Sequence, residues 1–493
     1  MNMKLLIDGQ WKDPESGKFT DKMNPSTGEA IEKIPAAGKG EVDEAMDAAE
    51  GSFWKWYELG TKERSKIIMR AVDLIQKSRK ELEDILVLEN GKRRIESVGE
   101  VDGVIDQMVY YSEFERKLTG DLVEGDSFER KILQYKVPYG VVLALTPWNF
   151  PAAMVARKLA PALITGNTVV LKPSSDTPKS AEWITMKLQQ AGLPKGVLNF
   201  ITGKGSEIGD YMVAHKKVSL ITMTGSTATG QRIMQKASAN MAKLVLELGG
   251  KAPFIVWKDA DQRNALKTLL WAKFWNSGQS CIAAERVYVH SDIYKEFVDK
   301  FVNATKQLTV GDPETADMGP LINLSAVKNM EKVVQDAKTS GSKVLAGGST
   351  ANLKGKFAGG YFYLPTLLEE KEQKASLFQE EIFGPVSGIM AVDDLDSALN
   401  LANDSQYGLA SYLFSKDFTT IMKAAERVRF GELYVNMPGP ESSQGYHTGF
   451  RMTGQAGEGS KYGIEEYLKL KNVYLEYSGK EVSINTVREE LVR

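Results

Sequence analysis

A single cysteine stands where a nucleophile can act. Cys281 is the only cysteine among the 493 residues, and it lies in NSGQSCIAAERV, between small polar residues and an apolar stretch. At the start of a strand a thiol can be accessible and can be activated as a thiolate. The alternative is an inert core cysteine, because free cysteines are among the most buried residues. Other residues have to decide between these two interpretations.

Two polar residues have chemistry that complements such a nucleophile. Asn149 lies in TPWNFP, directly after the apolar run VVLAL, and two prolines restrict the backbone around it. Its amide can donate a hydrogen bond to an oxyanion, although capping a turn is the alternative role. Glu247 is the one carboxylate in the apolar run LVLEL. Burial would raise the pKa of Glu247 toward that of a general base, and a structural ion pair is the alternative.

Two loops that contain glycine have the features of phosphate-binding loops. MTGSTATG places Gly225, Ser226 and Gly230 between an apolar run and a predicted helix, where backbone N–H groups can approach phosphate oxygens. Gln231 follows where a nucleoside-triphosphate-binding loop needs lysine, which excludes that class. TGKGSEIG, which includes Gly205, has a glycine spacing one residue longer than the dinucleotide fingerprint. Neither loop alone establishes a phosphate-binding site, since glycine is common at strand-to-helix turns.

The elements that position these residues alternate along the chain. Residues 40–118 have apolar positions at helical spacing, as in ELEDILVLENGK. From 137 to 257, apolar runs are separated by helical stretches, which predicts a parallel sheet covered on both faces. A second alternating region follows Cys281 and predicts a second α/β domain. The predicted strands are VVLAL, TVVLK, VLNFIT, SLITMT, KLVLE and PFIVW, then RVYVH, KVLAGG, VSGIMAV, ASYLFS and GELYVN.

Composition excludes several classes of protein. Lys and Arg (62) nearly balance Asp and Glu (64), so we expect no nucleic-acid partner. The start MNMKLLIDGQWKD lacks the features of a signal peptide. The most apolar region, 141–173, is interrupted by prolines and charges, so we expect no membrane span and predict a cytoplasmic protein. One cysteine and three dispersed histidines predict neither a disulfide nor a metal site.

Six motifs give the chain a strong resemblance to the aldehyde dehydrogenase superfamily over nearly its whole length. In the order and rough spacing of that family they are TPWNFP, LKPSSDTP, MTGSTATG, LELGGK, GQSC and EEIFGP. The resemblance implies oxidation of a small-molecule aldehyde to its carboxylic acid with reduction of NAD(P). It also implies an α/β fold with a Rossmann-like cofactor domain, an α/β catalytic domain and a small β oligomerisation element.

The resemblance assigns roles to particular residues. In the family the cysteine of GQSC attacks the aldehyde, the glutamate of LELGGK activates water, and the asparagine of PWNFP holds the oxyanion. These residues are Cys281, Glu247 and Asn149, and the acid forms through a thiohemiacetal and a thioester. The presence of Glu247 favours hydrolysis over acyl transfer to coenzyme A. The cofactor-binding residues that we predict are Trp148, Lys172, Ser175, Gly205, Gly225, Ser226, Glu381 and Phe383.

The choice of cofactor depends on LKPSSDTP. The family places Lys172 near the adenosine ribose, and members that prefer NAD commonly carry glutamate three residues further on, where this sequence has Ser175. A carboxylate there would repel a 2′-phosphate, whereas a hydroxyl and the charge of Lys172 suit it. We therefore predict NADP, with NAD as the alternative.

The choice of substrate depends on MPGPESSQGYHTGF. This loop resembles that of lactaldehyde and glycolaldehyde dehydrogenases, in which a glutamate, a histidine six residues later and an arginine line the substrate pocket. Here they are Glu441, His447 and Arg157. A polar trio suits a short hydroxyaldehyde. The likeness extends to archaeal NADP-dependent glyceraldehyde dehydrogenases, so we predict oxidation of D-glyceraldehyde to glycerate. A salt bridge for Arg157 and a satisfied loop position for His447 are the alternatives.

Several other functions stay open. Succinate-semialdehyde dehydrogenases also often carry serine after Lys-Pro, but Glu441 would oppose a substrate with a distal carboxylate. Lactaldehyde or glycolaldehyde oxidation is the nearer alternative. A non-enzymatic scaffold requires loss of Cys281 or Glu247, and both are present. A phosphorylating glyceraldehyde-3-phosphate dehydrogenase is disfavoured because no histidine lies near Cys281 in the sequence.

The family also suggests how the chain divides and assembles. We predict a dinucleotide-binding domain of residues 1–125 and 146–250, a catalytic domain of 251–435, an oligomerisation element of 126–145 and 464–493, and a substrate-pocket loop of 436–463. Members form dimers or tetramers through a protruding hairpin and a C-terminal strand, which LKLKNVYLEY and the strand from Phe128 to Val137 resemble. We predict a homotetramer.

Overall fold

The structure is a computed structural model that describes residues 2–479. Its helices are α1 (Lys39–Glu58), α2 (Gly60–Lys77), α3 (Arg79–Asn90), α4 (Arg94–Ser112), α5 (Pro151–Ile164), α6 (Lys179–Gln190), α7 (Asp210–Val213), α8 (Thr227–Ala237), α9 (Gln262–Phe274), α10 (Ser291–Gln307), α11 (Leu324–Thr339), α12 (Ser376–Gln379), α13 (Leu395–Asn403), α14 (Phe418–Arg427) and α15 (Ser460–Glu465).

Short strands are distributed along the whole described chain. They are β1 (Leu5–Ile7), β2 (Gln10–Lys12), β3 (Phe19–Met23), β4 (Ala30–Pro35), β5 (Asp121–Glu124), β6 (Arg130–Pro138), β7 (Val141–Thr146), β8 (Thr168–Pro173), β9 (Leu198–Phe200), β10 (Val218–Thr224), β11 (Lys243–Glu247), β12 (Ala252–Val256), β13 (Ala284–His290), β14 (Lys343–Ala346), β15 (Thr366–Glu369), β16 (Val386–Val392), β17 (Ala410–Phe414), β18 (Glu432–Val435), β19 (His447–Thr448), β20 (Gly454–Gln455), β21 (Gly457–Glu458) and β22 (Leu468–Glu476).

The first sheet has eight strands in the order β2-β1-β9-β8-β7-β10-β11-β20. Its five central strands, β9 to β11 in that order, are parallel, which confirms the sequence-based prediction. They are apolar and largely buried because helices cover both faces. The edge strands β1, β2 and β20 are antiparallel and were not predicted. The four-helix region 39–112 agrees with the predicted helices of 40–118.

The second sheet has seven strands in the order β14-β15-β16-β13-β12-β17-β18, and only β14 is antiparallel. Its first strand in the chain is β12, the PFIVW run, which the strand pattern of residues 137–257 had grouped with the preceding five strands, whereas the predicted domain boundary had placed it in the catalytic domain of 251–435. The chain therefore crosses between the sheets within 248–251, directly after Glu247. The helices α9 and α11 and the strand β15 were not predicted.

The predicted outlying strands form a separate three-stranded sheet. β22 pairs antiparallel with β6 over nine residue pairs, from Leu468 with Pro138 to Glu476 with Arg130, and β5 continues the sheet. The segment 126–145 also contains most of β7, which lies at the centre of the first sheet. Residues 480–493 of the predicted oligomerisation element lie outside the described residues. No helix within 2–479 is long and apolar enough to cross a bilayer.

The predicted pocket loop, 436–463, connects the two sheets. Its strand β20 pairs antiparallel with β11, which places Gly454 opposite Glu247. Its strands β19 and β21 form a small ribbon in which His447 is paired with Glu458. This pairing brings the loop against the end of β11, at the carboxyl edge of the first sheet where ligands bind in open α/β folds.

Candidate active site

Cys281 lies in a turn just before β13 and is half-buried. Two cavities meet at this residue. The large cavity of about 740 Å³ follows the carboxyl edge of the first sheet, and the small cavity of about 310 Å³ lies between α4, α5 and the 436–463 loop. Four residues line both cavities: Asn149, Thr224, Leu248 and Cys281. A nucleophile at this junction can reach one molecule in each cavity.

The glycine pair of LELGGK allows the two sheets to approach each other. A Cβ atom on Gly250 would lie 2.1 Å from the carbonyl oxygen of Cys281. A Cβ atom on Gly249 would lie 2.6 Å from Oε2 of Glu381. Both contacts are far inside van der Waals distance, so any side chain at these positions would push Cys281 or Glu381 away from the junction.

The loop before Cys281 has an uncommon backbone conformation. Asn276 and Ser277 have φ angles of 51° and 56°, in the left-handed region that non-glycine residues rarely adopt. Asn276 is held there because its backbone N–H donates to Glu96 and its side-chain amide donates to the carbonyl oxygen of Asn149 at 3.0 Å. The loop that carries Cys281 is thus fastened to the loop that carries Asn149.

Asn149 is buried and has a fixed orientation. Its Nδ2 donates to the carbonyl oxygen of Gln279 at 3.1 Å, which leaves the second amide hydrogen for a ligand. Its carbonyl oxygen also accepts a hydrogen bond from Lys92, at 2.9 Å, and the buried Lys92 pairs with Glu100. Asn149 lines both cavities beside Cys281, which is the position that an oxyanion donor needs.

Glu247 ends β11 and is 2% exposed. Within residues 2–479, neither of its carboxylate oxygens has a hydrogen-bond partner. Burial raises the pKa of Glu247 well above its usual range, while nearby charges, above all that of His447, oppose the shift. The structural ion pair that sequence analysis kept as an alternative is therefore absent at hydrogen-bonding distance in the described part of the chain. His447 Nε2 lies 3.9 Å from Oε2 of Glu247.

The three residues predicted for the substrate pocket lie together in the small cavity. Arg157 of α5 forms a 2.6 Å ion pair with Glu441, and 10% of each side chain is exposed. Nδ1 of His447 lies 3.5 Å from Oε2 of Glu441. Burial opposes ionisation of Glu441, but the charges of Arg157 and His447 prevail and lower the pKa of this carboxyl. The trio is charged and lies on the side of Cys281 away from the large cavity.

His447 has a closer partner that sequence analysis missed. Its Nδ1 lies 2.9 Å from Oε1 of Glu432, the first residue of β18. Burial lowers the pKa of His447, but the carboxylates of Glu432 and Glu441 outweigh burial and hold it well above its ordinary value. His447 and Cys281 line the same small cavity. The histidine that sequence distance had separated from the cysteine therefore lies in the same site.

The large cavity contains most of the residues predicted for cofactor binding. Ser226 is the N-cap of α8, where its Oγ accepts a hydrogen bond from the backbone of Thr229. Gly205 starts a helical turn at the opposite wall. The predicted residues that line this cavity are Trp148, Lys172, Gly205, Gly225, Ser226, Glu381 and Phe383. A helix N-terminus with free N–H groups and a positive dipole end suits a phosphate.

Lys172 and Ser175 occupy different positions at this cavity. Lys172 lines the cavity and is buried, and this burial lowers its pKa to about 8. Ser175 is half-buried and does not line the cavity, whereas Ser174 does. The Oγ of Ser175 lies 3.4 Å from the carbonyl oxygen of Gly203, next to the loop that begins at Gly205. Ser175 is therefore at the rim.

Glu381 and Phe383 lie where the large cavity reaches Cys281. Burial raises the pKa of Glu381 to about 8, and its Oε1 accepts a hydrogen bond from the backbone of Gly250 at 2.7 Å. Phe383 has a φ of 55° and packs edge-to-face against Trp148, with ring centroids 5.3 Å apart. The three side chains form the wall around the inner end of the cavity.

A buried carboxylate that sequence analysis missed positions this segment. Glu285 of β13 accepts hydrogen bonds from the backbone N–H groups of Ile382 and Phe383, at 2.9 and 2.8 Å. Lys251 neutralises Glu285 at 2.9 Å in a pair that is at most 2% exposed. The signal was available, because Glu285 stands in the apolar strand AERVYVH just as Glu247 stands in KLVLE.

The chain belongs to the aldehyde dehydrogenase family, whose sequence model matches residues 11–473. It is 67% identical over 491 residues to the D-glyceraldehyde dehydrogenase (NADP(+)) of Thermoplasma acidophilum, with 100% of both chains covered. It is 64% identical over 491 residues to the protein of that name from Picrophilus torridus, again with 100% of both chains covered.

A solved structure of lactaldehyde dehydrogenase from Escherichia coli matches with a TM-score of 0.94 and 38% identity, covering 97% of this chain and 99% of that chain. These similarities confirm three predictions: the aldehyde dehydrogenase fold, the NAD(P)-dependent aldehyde dehydrogenase class, and the likeness to lactaldehyde-type and archaeal glyceraldehyde dehydrogenases.

Proposed function

We propose that this enzyme oxidises D-glyceraldehyde to glycerate with NADP⁺. The observation that carries the proposal is the charged trio of Arg157, Glu441 and His447 in a cavity that opens onto Cys281. The volume of this small cavity, about 310 Å³, is at the small end of the range for ligand pockets, which suits a three-carbon aldehyde. The 67% identity to a D-glyceraldehyde dehydrogenase (NADP(+)) supports the same substrate and cofactor.

In the proposed mechanism the Cys281 thiolate attacks the aldehyde carbon from the junction of the two cavities. The carbonyl π electrons move to oxygen, and the resulting thiohemiacetal oxyanion accepts hydrogen bonds from the Asn149 amide and the Cys281 backbone N–H. Such donors are each worth about 10²–10³ in rate. Arg157, Glu441 and His447 bind the substrate hydroxyls, which places the carbonyl carbon over the sulfur.

Glu247 acts in the second half of the reaction, which is hydrolysis of the thioester. NADP⁺, when bound, supplies the hydride acceptor. Once Cys281 carries the thioester, Glu247 takes a proton from a water molecule, and the hydroxide attacks the acyl carbon. The bond to sulfur breaks, so that glycerate leaves and the Cys281 thiolate is restored. The buried carboxylate of Glu247, which has no hydrogen-bond partner within residues 2–479, suits this task because its raised pKa makes it a stronger base than an exposed glutamate.

The large cavity fits a dinucleotide with a 2′-phosphate. The N-terminus of α8, with Gly225 and Ser226, would hold the pyrophosphate, and Glu381 would hold the nicotinamide ribose. Lys172 is a buried cation whose pKa is lowered to about 8 by desolvation, so a phosphate beside it would stabilise its charge. Ser175 lies at the adjoining rim, where it leaves room for the 2′-phosphate.

Replacing Ser175 with glutamate should reverse the cofactor preference. A carboxylate at this rim would face the 2′-phosphate, and like-charge repulsion costs several kcal/mol, so kcat/KM with NADP⁺ should fall about 100-fold. Steady-state kinetics with NADP⁺ and NAD⁺ measure the change. Ser175→Gln is the matched control, since it has the same size without the charge. If both variants keep the NADP⁺ preference of the parent, Ser175 does not set it.

Replacing Arg157 with methionine should reduce selectivity for hydroxyaldehydes. The change removes a charged hydrogen-bond donor and leaves Glu441 without its partner, which costs about 1.5–3 kcal/mol. We expect the ratio of kcat/KM for glyceraldehyde to that for propanal to fall about 10- to 100-fold. Arg116→Met, at an arginine with 78% of its side chain exposed, is the control. An unchanged ratio would show that Arg157 does not contact the substrate hydroxyls.

An aldehyde panel with both cofactors tests the proposed substrate. D- and L-glyceraldehyde, lactaldehyde, glycolaldehyde and succinate semialdehyde are compared by initial rates of reduced-cofactor formation. D-Glyceraldehyde with NADP⁺ should give the highest kcat/KM. A higher value for succinate semialdehyde or lactaldehyde would overturn the proposal and leave the family assignment intact.

The proposal extends to assembly and location. We propose a cytoplasmic homotetramer that associates through the sheet of β5, β6 and β22. This sheet and the residues that adjoin its strands carry exposed apolar side chains that a partner subunit would bury: Leu122, Leu470 and Tyr474 on the strands, and Phe128 and Tyr477 beside them. Sedimentation equilibrium distinguishes tetramer, dimer and monomer.

A further inference from the structure

The strongest unexplained feature of the site is the environment of His447. Its ring is buried among three carboxyl groups, in the small cavity that Cys281 also lines. Nδ1 faces Glu432 at 2.9 Å and Glu441 at 3.5 Å, whereas Nε2 lies 3.9 Å from Glu247. A histidine that served only to bind a substrate hydroxyl would need one carboxylate at most to orient it. Two carboxylates on one nitrogen instead hold the ring in its protonated form.

Of Glu432 and Glu441, Glu432 depends more on the positive charge of His447. This carboxylate is 9% exposed and accepts a hydrogen bond from the Tyr434 hydroxyl at 2.9 Å. Its one ion-pair partner within residues 2–479 is His447. Glu441 differs, because Arg157 already neutralises it. A buried carboxylate without a counter-ion is costly, so Glu432 and His447 are most stable as carboxylate and imidazolium.

The other face of the ring is directed at the reaction centre. With Nδ1 bonded to Glu432, Nε2 is left for Cys281, which lines the same cavity, and for Glu247. Glu247 is the weaker competitor because burial raises its pKa and so disfavours its charged form. The charged and titratable groups around His447 are therefore Glu432 on β18, Glu441 in the loop, Glu247 on β11, Glu458 on β21, Arg157 behind Glu441, and Cys281.

We propose that His447 is the catalytic partner of the nucleophile: its imidazolium, held by Glu432, forms an ion pair with the Cys281 thiolate before aldehyde binds. This inference rests on the proposed role of Cys281 as nucleophile. The proton leaves sulfur and goes to Nε2, so the resting pair carries one negative and one positive charge. When the thioester is hydrolysed, the departing thiolate returns to the same imidazolium. Glu432 acts through His447 and is a positioning residue.

The lone cysteine makes this proposal directly measurable. Iodoacetamide reacts with the thiolate, and Cys281 is the only cysteine in the sequence, so the alkylation rate of the intact enzyme reports on this sulfur alone. In the parent enzyme the rate should be constant from about pH 6 to pH 8, since the thiolate is already formed. In His447→Gln the rate should follow an ordinary thiol and fall about 50-fold between pH 8.5 and pH 6.5.

Two further variants separate the proposed pair from a general structural effect. Glu432→Gln keeps His447 but removes its counter-ion, so the profile should titrate between those of the parent and His447→Gln. His215→Gln, at a histidine beside Asp43 that lines neither cavity, should match the parent. NADP⁺ binding, followed by fluorescence, confirms that each variant is folded.

Two results would overturn the ion pair. One is a parent profile that titrates near pH 8.5, which needs no variant; the other is a His447→Gln profile that superimposes on the parent. The aldehyde panel is independent of these results. A pH-independent alkylation rate without turnover of glyceraldehyde would overturn the proposed substrate and support the ion pair. Turnover of glyceraldehyde together with the alkylation profile of an ordinary thiol would support the proposed substrate and overturn the ion pair.

Discussion

Replacing Cys281 with serine should abolish aldehyde oxidation while NADP⁺ binding is retained. A serine hydroxyl is not ionised near pH 7, so it cannot attack the aldehyde as a thiolate does. Removing the nucleophile of a covalent catalyst costs about 10⁶ in kcat, as in a serine protease. Continuous and fixed-time assays of NADPH formation with glyceraldehyde measure the loss of activity. Because Cys281 is half-buried in a turn, the isosteric change should leave the fold intact.

The cofactor provides the control for this variant. The dissociation constant of NADP⁺, measured by fluorescence quenching, should stay within about threefold of the parent value, since serine nearly keeps the size of the Cys281 side chain that lines the large cavity. Activity above about 1% of the parent would exclude Cys281 as nucleophile. Loss of both activity and cofactor binding would instead indicate misfolding, and Cys281→Ala would then have to show the same activity loss with intact binding.

The sequence was sufficient to place the three proposed catalytic residues because each belongs to a short, distinctive motif. Asn149 and Glu247 are far apart in the chain but follow or end apolar strands of the first sheet, whereas Cys281 lies just before the apolar strand β13 of the second sheet. Parallel strands end at one edge of a sheet, so their ends converge. The strands themselves were recognisable because a sheet buried on both faces requires continuous apolar runs.

The strand pattern alone did not reveal the crossing between the sheets, although the domain boundary that the family resemblance suggested, after residue 250, lies there. PFIVW resembles the preceding strands in length and composition, yet β12 lies in the second sheet. What separates it from KLVLE is only the short segment that contains Gly249 and Gly250. The reason for the crossing is tertiary, since these glycines allow Cys281 and Glu381 to approach, and a Cβ clash cannot be inferred from the chain before the partners are known.

The buried charged residue Glu432, which supports His447, was missed for a different reason. Glu432 starts the strand GELYVN, where a charge next to a glycine is typical of a solvated strand end. Its burial follows from the 436–463 loop, which folds back so that His447 covers it. The pairing of β20 with β11 that brings this about involves two residues, too few to give a periodic signal. Sequence separation likewise hid the proximity of His447 to Cys281.

Replacing Glu247 with glutamine should stop the reaction at the thioester. The amide has the shape of the carboxyl group but cannot accept the proton of the attacking water, and a general base contributes about 10²–10⁴ in rate. We expect steady-state turnover to fall by that factor. Formation of the thioester and of NADPH should still occur once, as a burst equal to the concentration of active sites. Rapid-mixing measurements of NADPH give the burst amplitude.

The pH dependence of turnover also tests whether Glu247 is the general base. Burial raises the pKa of Glu247, so its carboxyl is neutral at low pH and becomes the basic carboxylate as pH increases. In the parent enzyme kcat should therefore increase with pH through this ionisation, and in Glu247→Gln the increase should disappear. Hydroxylamine, which cleaves thioesters without a general base, should restore turnover to Glu247→Gln but not to Cys281→Ser.

The outcome for Glu247→Gln also decides which group prepares the nucleophile. If His447 holds the thiolate, Glu247→Gln should keep both the burst and the pH-independent alkylation of Cys281, because neither step uses the carboxylate. If the burst is lost along with turnover, Glu247 must act before the thioester forms, and its proposed role in hydrolysis alone is wrong. Both groups line the small cavity together with Cys281. Their chemistry separates them: an imidazolium stabilises a thiolate, and a carboxyl group does not.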